Sequence, residues 1–112
     1  MRELGRERQG KAVIKQKLPK GEHTTTVTFS VDDARPVSVV GDFNDWDPLR
    51  TPMAKRSNGR RSAAVRVPAG SELRFRYLAD GGEFYDDSDA DWFEATGYGE
   101  SHGVVAARSA NA

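Results

Sequence analysis

The chain has 112 residues with equal numbers of basic and acidic side chains, 17 of each, and it contains no Cys. This length suits one domain, and the balanced charge argues against a protein that binds nucleic acid mainly by electrostatic attraction. The absence of Cys excludes disulfides and favours a reducing compartment. Because the chain shows neither a membrane-spanning apolar stretch nor a secretory signal, we expect a cytoplasmic protein without membrane contact.

The first half of the chain predicts three strands. Residues 11–18 predict a short edge strand because two lysines alternate with other side chains. Residues 23–31 alternate Thr or Ser with larger residues, which is the two-residue period of a half-buried strand. Residues 37–40 are mainly apolar and predict the third strand. On the second strand, the side chains predicted to face the core are Thr25, Val27, Phe29 and Val31.

In the second half of the chain, turn residues separate the predicted strands. Asn58-Gly59 predicts a tight hairpin with a two-residue turn. Within residues 72–79, alternation places Arg74 and Arg76 on the outward face. We interpret residues 86–103 as a long acidic loop. The strands predicted in this half cover residues 53–56, 61–67, 72–79, 83–85 and 104–107.

The overall pattern contains strands alone. No window of 11 or more residues shows a convincing helical period. Six to eight short strands at even spacing, joined by Gly, Pro and Asn turns, predict an all-β antiparallel sandwich.

A cluster of acidic residues in the late loop raises the question of a metal or catalytic site. Its spacing begins like a helix-flanked calcium loop, but Trp92 and Tyr98 stand where that loop needs Gly and Glu. The two His residues lack Cys companions for zinc, and no nucleophile motif is present. We therefore predict no metal site, no cofactor and no catalytic residues, and we interpret the acids as a solvated turn facing neighbouring arginines. The acids are Asp86, Asp87, Asp89, Asp91 and Glu94.

The aromatic residues are more informative. Phe29, Phe75 and Tyr77 lie on predicted inward faces, and we expect Phe43 to close the end of the sandwich. Trp46 ends a turn that has no local need for an aromatic ring, so it either packs over the sandwich end or binds a ligand. A pyranose ring stacks on such a plane while polar neighbours bind its hydroxyls. The other aromatics in turns or the late loop are Phe84, Tyr85, Trp92, Phe93 and Tyr98, of which Trp92 and Phe93 are expected to cover the sandwich end.

These residues carry a resemblance to a known family. The run from Val39 to Trp46, VVGDFNDW, resembles the Gly-x-Phe-Asn-x-Trp signature of the isoamylase N-terminal, or early-set, domain, carbohydrate-binding module family 48. The run FRYLADG at residues 75–81, the acidic run at 86–91 and the glycine-bearing end at 97–105 match in the same order. The family occurs in glycogen branching and debranching enzymes and in the β subunit of the AMP-activated kinase. The resemblance covers about residues 23–107 and implies an immunoglobulin-like β-sandwich.

The resemblance also implies a site. Members in the kinase subunit bind α-glucan through two tryptophans, a basic residue and a polar end loop. Trp46 matches the first tryptophan, Arg76 the basic position, and Phe84 stands in place of the second tryptophan. His102 replaces the family's amide, and Tyr98 falls where a protruding apolar residue is expected.

We therefore expect a stand-alone, non-catalytic early-set protein that binds glycogen or a similar α-glucan weakly. An alternative is a protein-interaction or regulatory module that docks on an enzyme of glycogen metabolism. The expected organisation is a flexible N-terminal tail with a possible edge strand at 1–22, the domain at 23–107, and a C-terminal tail at 108–112.

Overall fold

In the computed structural model, residues 12–97 and 100–109 are described, and they form nine strands in two antiparallel sheets. Within these residues, no helix is long and apolar enough to cross a membrane. The strands are β1 (Ala12–Lys17), β2 (Thr24–Val31), β3 (Val37–Gly41), β4 (Ala54–Lys55), β5 (Arg61–Pro68), β6 (Glu72–Ala79), β7 (Glu83–Tyr85), β8 (Trp92–Ala95) and β9 (Ser101–Ala106).

The two sheets pack face to face as a sandwich. Sheet I has the order β1-β2-β5-β4, and sheet II has the order β3-β6-β9-β8, with β7 also paired to β6. Phe29 of sheet I meets Phe75 of sheet II with ring centroids 4.7 Å apart, and both side chains are fully buried. Alternation therefore directs the predicted residues inward, and the predicted all-β, immunoglobulin-like sandwich is confirmed.

Phe43 closes one end of this core, as expected. Its ring lies nearly parallel to that of Phe29, with centroids 6.2 Å apart, and it packs against the buried cluster. Aromatic pairs in such offset arrangements add to the stability gained from burial alone.

The predicted long loop at residues 86–103 is wrong, because it contains strand β8 and the start of strand β9. β8 pairs with β9 in the register Trp92 with Val104 and Glu94 with His102. β8 is an edge strand whose residues are mostly exposed, so its sequence lacks the alternation that marks a half-buried strand. Trp92 and Phe93 accordingly lie on this edge strand rather than over the sandwich end.

The hairpin at Asn58-Gly59 is present, but the predicted two-residue turn is wrong. Residues 56–60 connect β4 to β5, and the Arg56 N–H donates to the Arg60 carbonyl at 2.7 Å. Only Gly59 has a positive φ in this turn, whereas a tight type I′ turn needs positive φ at both central residues.

The predicted solvated acidic turn is wrong for Asp87. This side chain is fully buried, accepts a hydrogen bond of 2.6 Å from the Tyr77 hydroxyl and accepts another from the Asp89 N–H. Burial raises the pKa of Asp87 above its usual value, since desolvation disfavours the charged form. The expected pairing with arginines is confirmed for two other acids of this run, Asp86 with Arg76 and Glu94 with Arg74.

Tyr77→Phe is expected to lower the free energy of unfolding by about 2–3 kcal/mol, because a buried carboxylate loses its hydroxyl donor. Tyr85→Phe is the matched control. The Tyr85 hydroxyl donates to Asp33, which Arg35 also binds, so the expected loss is only about 0.5–1 kcal/mol. Urea unfolding at pH 7 measures both, and equal losses would contradict this role for the buried pair.

Candidate functional site

The loop after β3 is anchored to β6 by a close backbone approach at Gly41. A Cβ at this position would lie 2.3 Å from the Arg74 carbonyl oxygen and 2.5 Å from the Phe43 ring. The next residue, Asp42, completes the anchor: its N–H donates to the Arg74 carbonyl and its carboxylate accepts from the Arg74 N–H, each at 3.0 Å. Only glycine fits this approach.

Asn44 holds the turn from inside. Its side-chain oxygen accepts from the Gly41 N–H at 3.0 Å, and its amide nitrogen donates to the Val39 carbonyl at 3.0 Å and to the Thr51 hydroxyl at 2.8 Å. The residue is only 5% exposed. These three bonds satisfy polar groups that would otherwise be buried without partners.

Trp46 is held in a conformation that bulky residues rarely adopt. Asp45 and Trp46 have φ values of 59° and 57°, in the left-handed region. This conformation costs about 1–3 kcal/mol for a residue other than glycine and persists only where its surroundings impose it. Here the Trp46 N–H donates to the Gly41 carbonyl at 2.8 Å. The indole is thereby presented with 40% of its surface exposed.

The exposed indole forms one wall of a groove on the outer face of sheet II. Register explains why its other walls come together. Val40 pairs with Arg76 across β3 and β6, and the residues next to Arg76 and His102, Phe75 and Gly103, pair across β6 and β9. The groove has a volume of about 350 Å³. We call it the aromatic groove, and its lining residues are Val40, Trp46, Arg76, Phe84, Thr96, Glu100 and His102.

Arg76 is positioned by neighbours on three sides. Its Nε donates to Asp86 at 3.0 Å, its Nη1 donates to Glu100 at 3.4 Å, and its guanidinium carbon lies 5.3 Å from the centre of the Phe84 ring. The last contact has the geometry of a cation–π interaction. Its Nη2 has no acceptor among the described residues, so the N–H groups of this nitrogen can donate to a ligand.

His102 joins the groove to a second ionic network. Its ring centre lies 5.6 Å from that of Trp46, and its Nε2 lies 3.1 Å from a Glu94 carboxylate oxygen. Arg74 donates to the same carboxylate at 2.8 Å and 3.2 Å. These hydrogen bonds, foremost that from Arg74, lower the pKa of Glu94 to about 2. Glu94 is therefore ionised at neutral pH and orients the imidazole beneath Trp46.

The structure brings together four of the five residues singled out for sugar binding. Trp46, Arg76, Phe84 and His102 all line the aromatic groove, whereas Tyr98 lies outside the described residues. Sequence reasoning missed Thr96 and Glu100 in the lining, because it interpreted their region as a loop. The hairpin between β8 and β9 could have been predicted from the apolar run at 92–93 followed by a turn glycine. That glycine, Gly97, adopts a positive φ.

The groove offers aromatic planes and hydrogen-bond donors but few features of a reactive centre. Its carboxylate, Glu100, is paired with Arg76. Among residues 12–97 and 100–109, no group of three or more His, Asp or Glu side chains is arranged to hold a metal ion. Flat apolar walls with a fixed cation suit a neutral polyol that has both apolar faces and hydroxyl groups.

Asn44→Ala is expected to lower the free energy of unfolding by about 2–3 kcal/mol, because it leaves buried backbone groups unsatisfied. Asn58→Ala is the matched control, since Asn58 is exposed and its side chain accepts one bond, from the Arg60 N–H. That control is expected to cost about 0.5 kcal/mol. Urea unfolding followed by Trp fluorescence measures both changes. An Asn44 variant as stable as the Asn58 variant would contradict the proposed role of the Asn44 hydrogen bonds in holding the turn.

Comparison with known proteins places the chain in a family. Residues 5–92 match the family Carbohydrate-binding module 48 (Isoamylase N-terminal domain). The chain is 34% identical over 76 residues to a 1,4-alpha-glucan branching enzyme, GlgB, of Synechococcus elongatus, covering 65% of this chain and 10% of the enzyme. The corresponding enzyme of Deinococcus radiodurans is 37% identical over 78 residues, covering 62% of this chain and 11% of the enzyme. The chain thus spans about a tenth of the length of these relatives. The chain belongs to the carbohydrate-binding module 48 family.

Proposed function

We propose that this chain is a non-catalytic module that binds α-glucans in the aromatic groove. The observation that carries the proposal is the convergence of Trp46, Arg76, Phe84 and His102 in one groove of a chain from a carbohydrate-binding family. The matched relatives are named 1,4-alpha-glucan branching enzymes. An α-1,4-linked glucan is therefore the ligand class we assign.

The proposed contacts follow from the chemistry of the groove. The exposed planes of Trp46 and Phe84, 40% and 49% accessible, offer stacking surfaces for the apolar faces of glucose units. Arg76 is already fixed by Asp86 and Phe84, so it donates to sugar hydroxyls with little loss of side-chain entropy. The imidazole of His102 lies beside the indole and supplies a further polar contact.

The affinity is expected to be modest. The groove is shallow, and it exchanges protein–water hydrogen bonds for protein–sugar hydrogen bonds with a small net gain. We expect millimolar to micromolar dissociation constants for maltooligosaccharides, which correspond to about −4 to −8 kcal/mol.

Trp46→Ala is expected to abolish maltoheptaose binding, because it removes the main stacking plane of the aromatic groove. Trp92→Ala is the matched control: Trp92 is equally exposed, at 40%, but lies on the edge strand β8 outside the groove. Titration followed by the fluorescence of the remaining tryptophan and by calorimetry measures the dissociation constants. We expect the control to bind within about twofold of the parent.

The same titration provides the outcomes that would contradict the proposal. Equal binding by the Trp46 variant and the parent would exclude the groove as the sugar site. Loss of binding in both tryptophan variants would show that the sugar site is not confined to the aromatic groove. Circular dichroism of each variant separates lost binding from lost folding.

The proposed absence of catalysis rests on the groove itself, in which the Glu100 carboxylate is paired with Arg76 and the Thr96 hydroxyl donates to the Glu100 backbone carbonyl. Incubation of the purified chain with amylose is expected to leave chain length and branch content unchanged. New branches or released sugar would overturn this part of the proposal. Docking on an enzyme of glycogen metabolism stays a prediction.

A further inference from the structure

The outer face of sheet I differs chemically from the face that carries the aromatic groove. Along its central strand, β2, the outward side chains are hydroxyls, with Lys15 paired opposite Thr28 and Lys17 opposite Thr26. On the other side of β2, Arg66 stands opposite Thr26. The outward positions of β1, β2 and β5 carry no Asp or Glu. This face is therefore cationic although the whole chain has zero formal net charge.

A hollow of about 260 Å³ lies on this face, between β1 and the turn that joins β4 to β5. Lys15 borders it from β1, and Arg56 and Asn58 border it from the turn. Its polar side chains include two serines, one on β2 and one on β5. We call it the donor notch, and its lining residues are Val13, Lys15, Thr28, Ser30, Arg56, Asn58, Arg60 and Ser62.

Hydrogen bonds within the donor notch leave donors rather than acceptors facing a ligand. The Arg60 Nε donates to the Ser30 hydroxyl at 2.8 Å, and the Arg56 Nε donates to the Ser62 hydroxyl at 2.7 Å. Each serine oxygen thus accepts from a guanidinium, which leaves its own hydrogen to donate. Among the described residues, neither serine hydroxyl donates a hydrogen bond. The Asn58 side-chain oxygen is likewise occupied, since it accepts from the Arg60 N–H at 2.9 Å.

Two cations of the notch also lack a counter-charge within the described part of the chain. Neither the Lys15 ammonium nor the terminal nitrogens of Arg56 contact a carboxylate there, and both residues are exposed. No carboxylate belongs to the lining. A hollow that offers an ammonium, a guanidinium fork and several hydroxyl donors, without an acidic group, is complementary to an anion.

We propose that the donor notch is a binding site for a phosphate monoester. A phosphate monoester carries about −1.5 to −2 charges at neutral pH and three terminal oxygens, each a strong acceptor. The fork of Arg56 matches two of these oxygens, and Lys15 and the serine hydroxyls surround the third. A carboxylate offers only two oxygens and a single charge, so it leaves donors of the notch unused.

Other anionic partners fit this face less well. No aromatic side chain lines the notch or stands at an outward position of β1, β2 or β5, so a nucleic-acid base has no stacking plane there. No large apolar side chain projects from these positions to enter a lipid layer. The ligand chemistry that remains is a compact phosphate ester carried by a small polar molecule.

This site is separate from the aromatic groove. The notch lies on the outer face of sheet I and the groove on that of sheet II, and the two sites share no lining residue. The packed core of the sandwich lies between them. The inference therefore does not depend on sugar binding, and the two ligands are expected to bind without competition.

The test is a titration of the full chain at constant ionic strength with inorganic phosphate, phosphoserine and glucose 6-phosphate, with sodium acetate as the reference anion. Two-dimensional ¹⁵N NMR reports both the affinity and the residues affected. We expect saturable shifts in residues 13–15, 28–30 and 56–62 with each phosphate, at concentrations at least tenfold lower than with acetate. A ranking of the two esters identifies which carrier the neighbouring hydroxyls prefer.

Two double variants decide whether the notch or the general charge of the face is responsible. Lys15→Gln with Arg56→Gln removes both unpaired cations of the notch, and we expect at least tenfold weaker binding. Lys17→Gln with Arg66→Gln removes the same charge from the same face outside the notch, and we expect a change below twofold. Equal weakening by the two pairs, or shifts by acetate equal to those by phosphate, would overturn the site. Circular dichroism spectra that match the parent chain show that both double variants are folded.

Discussion

Strand β3 approaches β6 so closely at Gly41 that a methyl group does not fit between them, and the exposed end of the sandwich is built on this contact. The approach places Asp42 against the backbone of Arg74, which fixes where the chain leaves the sheet. From that point Phe43 turns inward onto Phe29 and Asn44 fills the interior of the turn. These contacts restrict the backbone of the turn and hold Trp46 in a left-handed conformation, with its indole facing outward. Packing therefore stabilises the strained backbone conformation of Trp46, the residue that the sugar is proposed to contact.

The acidic residues of the late segment stabilise the fold through hydrogen bonds to distant strands. The Asp89 carboxylate accepts from the Ile14 N–H at 3.0 Å, and the Asp91 carboxylate accepts from the Ala106 N–H at 2.7 Å. Ile14 lies on β1, the edge strand of sheet I, whose backbone donors would otherwise stay open to another chain. Asp87 continues the same run into the core, where Tyr77 binds it. One short acidic run thus satisfies one backbone donor of a sheet edge and links the two sheets.

The outer faces of the two sheets carry different chemistry because strand alternation separates them from the shared core. On sheet II, arginines are neutralised by the acids Asp86, Glu94 and Glu100, which leaves aromatic planes beside fixed, paired charges. Such a surface favours a neutral ligand. On sheet I, lysines and arginines stand among hydroxyls without acids, which favours an anion. Successive side chains of a strand point to opposite faces, so the residues of the outer faces are not those that pack the core.

The fold class and most of the core follow directly from local patterns. The alternation at residues 24–31 and 72–79 predicts both the strands and their buried faces, because a half-buried strand repeats every two residues. The VVGDFNDW and FRYLADG runs, with the acidic run at 86–91 and the glycine-bearing end at 97–105, carry the resemblance that points to Trp46, Arg76, Phe84, Tyr98 and His102. Strand alternation and short motifs depend on the type and order of residues close together in the chain, so they can be recognised in the sequence alone.

Other features depend on contacts between distant segments, which only the tertiary structure decides. Strand β8 exists because β9 pairs with it, although its own exposed residues show no alternation. Asp87 resembles its acidic neighbours in the sequence, yet the arrangement of β6 places the Tyr77 hydroxyl within 2.6 Å and buries it. The donor notch likewise joins Lys15, Ser30 and Arg56 from three segments, and their shared lack of acidic partners is a property of the folded surface. Local pattern therefore determines which residues turn inward, and long-range pairing determines which outward residues meet to form a site.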